Sequence, residues 1–226
     1  MNQSLNRMVK LNKNKKKKTK KGKRSMSSTQ KKHSVMADAA YNSNKKAIKR
    51  VKKKLGEDWE IDRELSTRRH KVFYNPKTKE SVYSARGTKA TDFKDLVSDL
   101  AIVGSRFKKS LFRRSDRMKN ERKKYQRFSE KYAGYERQGT GHSLGGAVIA
   151  ELTKKDPQVE TTAFARGTFS NRGRYGSNLT DVANRNDLIS NRVFNQKGKQ
   201  KRIMIGKKSF RHKFDKLGAH AMSQFI

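Results

Sequence analysis

The stretch Gly139-Thr140-Gly141-His142-Ser143-Leu144-Gly145-Gly146-Ala147-Val148-Ile149-Ala150-Glu151-Leu152 decides the fold. Within it, Gly141-x-Ser143-x-Gly145 has the spacing of a nucleophile elbow, a sharp strand-to-helix turn that leaves a serine hydroxyl at its tip. The spacing has a steric origin. Residues two before and two after the serine approach each other across the turn, and only a missing or tiny side chain fits between them. The run that follows, up to Leu152, is apolar on nearly every face, as a short helix buried behind such a turn would be. A bare Gly-x-Ser-x-Gly arises by chance in about one chain in ten of this length at ordinary Gly and Ser frequencies. The flanking residues therefore carry the weight.

Immediately upstream, Tyr135-Glu136-Arg137-Gln138-Gly139 has to supply the strand that enters the elbow, and it is polar. A central strand of that kind is costly to bury, so the expectation is a sheet that is thin or partly uncovered at this point. Further upstream, residues 71–74 and 81–85 flank Asn75-Pro76-Lys77-Thr78-Lys79, which reads as a hairpin with turn chemistry between short strands. Its second strand runs into Ala85-Arg86-Gly87-Thr88. Residues 91–100 start like a helix capped by Asp92, with Phe93, Leu96, Val97 and Leu100 on one side. Residues 107–132 read as an amphipathic basic helix broken near Ser115. Downstream of the elbow helix, Pro157 marks a break, 159–164 reads as a strand, 165–176 as a Gly/Arg-rich loop, and 179–183 as a further strand.

The 226 residues suit one catalytic-size domain plus a tail. A formal charge of +38 and a mean hydropathy of −1.09 call for a polyanion or an anionic surface as partner. Half of that charge, +19, lies in residues 1–55, where Asp38 is the lone acid. Around 12–24 the sequence is mostly lysine, with no apolar periodicity that could bury a core, and the expectation is a disordered basic tail over 1–56 ahead of a folded domain over 57–226. Within the tail, 39–55 has the pattern of a short basic helix with Ala40, Ala47, Ile48, Val51 and Leu55 as its seam. Nucleic acid or an anionic membrane is the partner such an arm serves. With no cysteine there is neither a disulfide scaffold nor a thiolate metal site. No stretch has the length and apolarity of a signal peptide core or a membrane span, so no secretion route is expected.

The string Thr140-Gly-His-Ser-Leu-Gly-Gly resembles the class 3 lipase family, the fungal-lipase-like branch of the α/β-hydrolases. Arg86-Gly87-Thr88 is similar to the family's Phe-Arg-Gly-Ser/Thr string, with Ala85 in place of the Phe. The resemblance covers roughly residues 65–226. It implies an α/β fold with a mainly parallel central sheet flanked by helices, and cleavage of lipid carboxylic esters without cofactor or metal. It also implies roles: Ser143 as nucleophile, with Thr88 and the backbone N–H of Leu144 as the oxyanion hole. Asn186-Asp187 followed by Leu188 and Ile189 matches the family's acid position, making Asp187 the first choice, with Asp181 and Asp156 as alternatives. Of the five histidines, His33 and His70 precede the elbow and His142 lies inside it, next to the nucleophile. That leaves His212 and His220, and the segment 216–225 resembles the family's C-terminal ending, which favours His220. Phe93 corresponds to the family's lid segment, a packed helix being the alternative. Lipase-like domains with basic tails are also carried by aquatic DNA viruses and their satellites, which would imply a virion-associated or nuclear setting. A basic nucleic-acid-binding protein on an inactive hydrolase scaffold is the competing expectation.

Overall fold

The computed structural model describes residues 25–88, 115–167, 175–185, 187, 198–206 and 222–226. Seven strands form one sheet in sequential order: β1 (Glu60–Ile61), β2 (His70–Asn75), β3 (Glu80–Ala85), β4 (Glu136–His142), β5 (Glu160–Phe164), β6 (Leu179–Asn184) and β7 (Lys201–Ile205). The first three pair antiparallel, and β3 to β7 are parallel. The sheet is thus the mixed, mainly parallel one expected from the sequence. The β2–β3 hairpin turns at the anticipated place, where the Asn75 side chain accepts from the N–H groups of Lys77 and Thr78.

A parallel sheet in sequential order, with right-handed crossovers, puts its connecting helices on one face. Helices α3 (Asp116–Lys131) and α4 (Leu144–Leu152) lie together there. Met118, Tyr125 and Phe128 of α3 and Val148 and Ile149 of α4 pack with Val72 and Tyr83. Helix α3 starts where the break near Ser115 is expected, the Ser115 hydroxyl accepting from the N–H of Met118; residues 107–114 of the expected helix lie outside the described residues.

The other face is covered from the N-terminal side, which corrects the expected boundary at 56/57. Residues Ser28–Ala39 form α1 and Asn44–Leu55 form α2, a helical hairpin packed on the sheet. Residues 1–24 lie outside the described residues. A capping box opens α1: the Ser27 hydroxyl accepts from the N–H of Gln30, and the Gln30 side chain accepts from the N–H of Ser27. The seam expected over 39–55 is present, with Ala47 and Val51 buried against Trp59, Phe73 and Val82. Phe73 and Val82 adjoin Val72 and Tyr83 in their strands, so alternation places α1 and α2 opposite α3 and α4.

The hairpin also corrects the expectation of an uncovered sheet at β4. Its polar residues point at α1, which brings matching polar groups. His33 is fully buried, with Nε2 2.8 Å from Gln138 Oε1 and Nδ1 2.9 Å from Thr162 Oγ1. The Thr140 hydroxyl lies within reach of the carbonyls of His33 and Thr162. At the outer end of the strand, Gln138 donates to Glu80 and Glu136, and Glu80 is paired with Lys32. Polar groups hydrogen-bonded in this way lose most of the penalty for leaving water.

Candidate active site

Strand β4 ends at His142, Ser143 turns, and α4 begins at Leu144. Ser143 has φ 55° and ψ −123°, a backbone conformation that L-residues adopt only under constraint from their surroundings. The constraint can be traced. A Cβ on Gly141 would stand 2.6 Å from the backbone of Gly145, and one on Gly145 would stand 2.2 Å from the Ala85 carbonyl oxygen. The two glycines interlock, and β3 closes against them, as the spacing requires. Below the turn, the Ser143 N–H donates to the Phe164 carbonyl (2.9 Å) and the Ser143 carbonyl accepts from Gly167 (3.2 Å). The serine thus sits at the carboxyl end of a central parallel strand, where open α/β sheets bind their ligands. It also lies at the amino end of α4, whose free N–H groups and dipole favour negative charge.

The end of β3 runs beside it. A Cβ on Gly87 would lie 3.3 Å from the Ser143 Cβ and 2.6 Å from the His142 carbonyl oxygen. Thr88, the expected oxyanion residue, follows directly and is half-buried.

Tyr41, in the turn between α1 and α2, joins this assembly, a contribution without any local signal in the sequence. Its hydroxyl accepts from the N–H of Gly87 and lies 2.9 Å from His142 Nδ1. Burial pushes the Tyr41 hydroxyl up to about 12, so at neutral pH it keeps its proton. The Arg86 guanidinium lies over the Tyr41 ring, 5.4 Å from its centroid. One hydroxyl from the N-terminal hairpin therefore bridges the strand ends on either side of the candidate oxyanion site.

Among the carboxylates, Asp187 is fully buried beyond the carboxyl end of β6, its N–H bonded to the Asn184 carbonyl at 3.0 Å. The two alternatives are engaged elsewhere. Both oxygens of Asp181 are held by Arg166, at 2.6 and 2.8 Å, in a buried pair covered by the Tyr175 ring. Asp156 precedes β5 at the opposite end of the sheet, where it pairs with Arg137 at 3.3 Å.

His220, His212, Phe93 and the 91–100 segment lie outside the described residues. The short turn after His220, Met222–Phe225, is described. Phe225 packs on Phe164 and His142, with ring centroids 5.4 and 6.4 Å away, and the Asn184 side chain donates to Gln224. The chain end is thus tied to the ends of β4, β5 and β6.

No protein-family model and no curated protein sequence matches the chain. Solved structures do. The nonglycosylated LIP2 lipase of Yarrowia lipolytica aligns with a TM-score of 0.59 at 14% identity, covering 79% of this chain and 79% of its own. The 1.7 Å crystal structure of the same organism's Lip2 lipase aligns with a TM-score of 0.53, again at 14% identity, covering 78% of this chain and 77% of its own. At such identity the likeness is one of fold: the mixed, mainly parallel sheet of this chain is similar to that of these two lipases.

Proposed function

We propose that the protein is a serine ester hydrolase acting on lipid carboxylic esters. The observation that carries the reading is the strained Ser143 between two glycines that no other residue can replace without a clash. In the proposed reaction His220 takes the Ser143 proton as the hydroxyl oxygen attacks the ester carbonyl. The negative charge that develops on the carbonyl oxygen meets the Leu144 N–H, the amino end of α4 and Thr88. Collapse of this intermediate expels the alcohol, which receives the proton from His220. Water, deprotonated by the same imidazole, then releases the carboxylic acid and frees the serine. Asp187 accepts a hydrogen bond from the second imidazole nitrogen, fixing its tautomer and stabilising the imidazolium. The cationic N-terminal quarter supplies a second attachment, to polyanions or to an anionic surface.

The test is hydrolysis of short- and long-chain p-nitrophenyl esters by the full chain and by Ser143→Ala, with and without anionic lipid. Activity in the parent that disappears in the variant supports the assignment, and the chain-length preference begins to define the substrate. A parent inactive under all these conditions would leave a hydrolase scaffold that serves binding alone.

A further inference from the structure

Two helices of the folded domain expose cationic faces on opposite sides of the sheet. In α2, seven of the twelve residues are Lys or Arg and none is acidic. Lys45, Lys46, Lys49, Lys53 and Lys54 are exposed, and among the described residues no carboxylate lies within ion-pair reach of them; only Arg50 and Lys52 find partners, Asp38 and Glu57. On α3, Arg122 and Lys123 are exposed and Lys124 half-exposed, again without a carboxylate among the described residues, whereas Arg127 and Lys131 are held by Glu64. Lys45, Lys49 and Lys53 follow one another at four-residue spacing, where like charges repel by a few tenths of a kcal/mol per pair. A face that weakens its own helix and engages no carboxylate among the described residues fits an external anion.

Two observations indicate which anion. First, both helices have already committed their apolar sides. Ala47 and Val51 are buried under α1 and the sheet, and Met118, Tyr125 and Phe128 on the other face, while the one exposed large apolar residue among the described residues is Ile226. An interfacial membrane helix needs its apolar side free to enter the acyl boundary, and neither helix has one. Second, a layer of helix, sheet and helix separates the two cationic faces by roughly 30 Å. That is several times the ~8 Å screening length at physiological salt, so a flat bilayer meets one face and leaves the other in water. A flexible single strand of nucleic acid can reach both, where a stiff duplex cannot.

We infer that α2 and α3 form a two-sided phosphate-contact surface that binds nucleic acid through its backbone. No aromatic side chain is exposed among the described residues to stack on bases, so the binding is indifferent to sequence. The inference deepens the polyanion part of the proposed function and is independent of the ester chemistry.

The test is fluorescence anisotropy of a labelled random-sequence single-stranded DNA titrated with the full chain across a salt series. One variant changes Lys45, Lys46, Lys49 and Lys53 to Gln, a second changes Arg122, Lys123 and Lys124 to Gln, and a third combines them; circular dichroism confirms that each keeps its fold. Each set is expected to weaken binding at least tenfold at physiological salt. Each should also flatten the log–log salt slope by about 0.7 for every phosphate that is no longer neutralised, the two sets adding. A combined variant with parental affinity and slope would overturn the inference and hand the binding to residues 1–24, leaving the broader polyanion reading intact. A parent that fails to bind DNA would remove the nucleic-acid inference and its polyanion basis together. Tighter binding to phosphatidylserine vesicles than to DNA at equal salt, abolished by the α2 set alone, would make this a one-sided membrane surface and refute the nucleic-acid assignment.

Discussion

Acidification reads out the polar joint between α1 and the sheet. Gln138 uses its amide nitrogen on Glu80 and Glu136, which leaves its carbonyl oxygen facing His33. His33 Nε2 must therefore carry a proton, and Nδ1 accepts from the Thr162 hydroxyl. The network is built for a neutral imidazole. Burial lowers the His33 pKa from 6.5 to about 4; the hydrogen bond to Gln138 acts in the opposite sense and is outweighed.

The sign follows from proton counting. Between pH 4 and 6.5 the unfolded chain binds a proton at this site that the folded chain does not, so stability rises with pH through that window. The contribution is fully present above 6.5 and is lost as pH falls towards the folded value. A shift of this size corresponds to roughly 3 kcal/mol in total, of which about 2 kcal/mol is gone by pH 5. Glu80 and Glu121 titrate lower: burial pushes both up, but hydrogen bonds from Lys32 and His70 outweigh it and hold them below the usual range. The assay is urea unfolding at pH 7.5 and pH 5, followed by the fluorescence of Trp59, the single tryptophan, which is buried beside α2. His33→Gln serves as the reference that subtracts every other titrating group. The expected outcome is a parental loss of about 2 kcal/mol between the two pH values that the variant does not share. Equal losses in the two proteins would refute the reasoning.

Two further outcomes test the site. Tyr41→Phe removes the acceptor of the Gly87 N–H and the hydroxyl hydrogen-bonded to His142, so ester turnover is expected to fall about 5- to 30-fold in kcat, equivalent to the ~1–2 kcal/mol of a broken buried hydrogen bond, with KM nearly unchanged. An unchanged kcat would show that the bridge positions nothing. Gly145→Ala sets a methyl 2.2 Å from the Ala85 carbonyl oxygen and is expected to abolish soluble folded protein or lower Tm by more than about 10 °C. Gly134→Ala, where nothing lies within 4 Å, should leave Tm within a few degrees.

The elbow is legible in the sequence because its determinants are local: two glycines and a serine at fixed spacing describe a steric event complete within five residues. The β2–β3 hairpin is legible for the same reason, its turn being written in Asn75 and Pro76. Helix α1 is hidden by its surroundings in the fold. It is buried on most sides, with His33, Ser34, Val35, Met36, Ala37 and Ala39 all inside, so it has no apolar stripe to read. Ser27 and Gln30, three apart, are the available signal, obscured by the lysine run that precedes them. Strand β7 escapes notice because only Ile203 of its five residues is buried and Lys201 and Arg202 begin it. Tyr41 has no sequence signature, since its partners Gly87 and His142 are far away along the chain and meet it only through the sheet.

The polar strand before the elbow and the misplaced domain boundary are one problem with one solution. Gln138, Thr140 and Thr162 look unfit for a sheet interior while residues 25–55 are counted as tail, and they become ordinary once α1 delivers His33 to them. The same hairpin covers Trp59, Phe73 and Val82, three large apolar side chains whose exposure would cost about 6 kcal/mol. That is comparable to the ~5–15 kcal/mol net stability of a whole domain. A fragment of residues 57–226, cut where the change in composition suggests, is therefore expected to lose cooperative unfolding, with Trp59 emission shifted red as in the denatured full chain. If the fragment instead unfolds in a single urea transition with a midpoint near that of the full chain, the hairpin is an ornament on the sheet. The polar residues of β4 would then need another explanation.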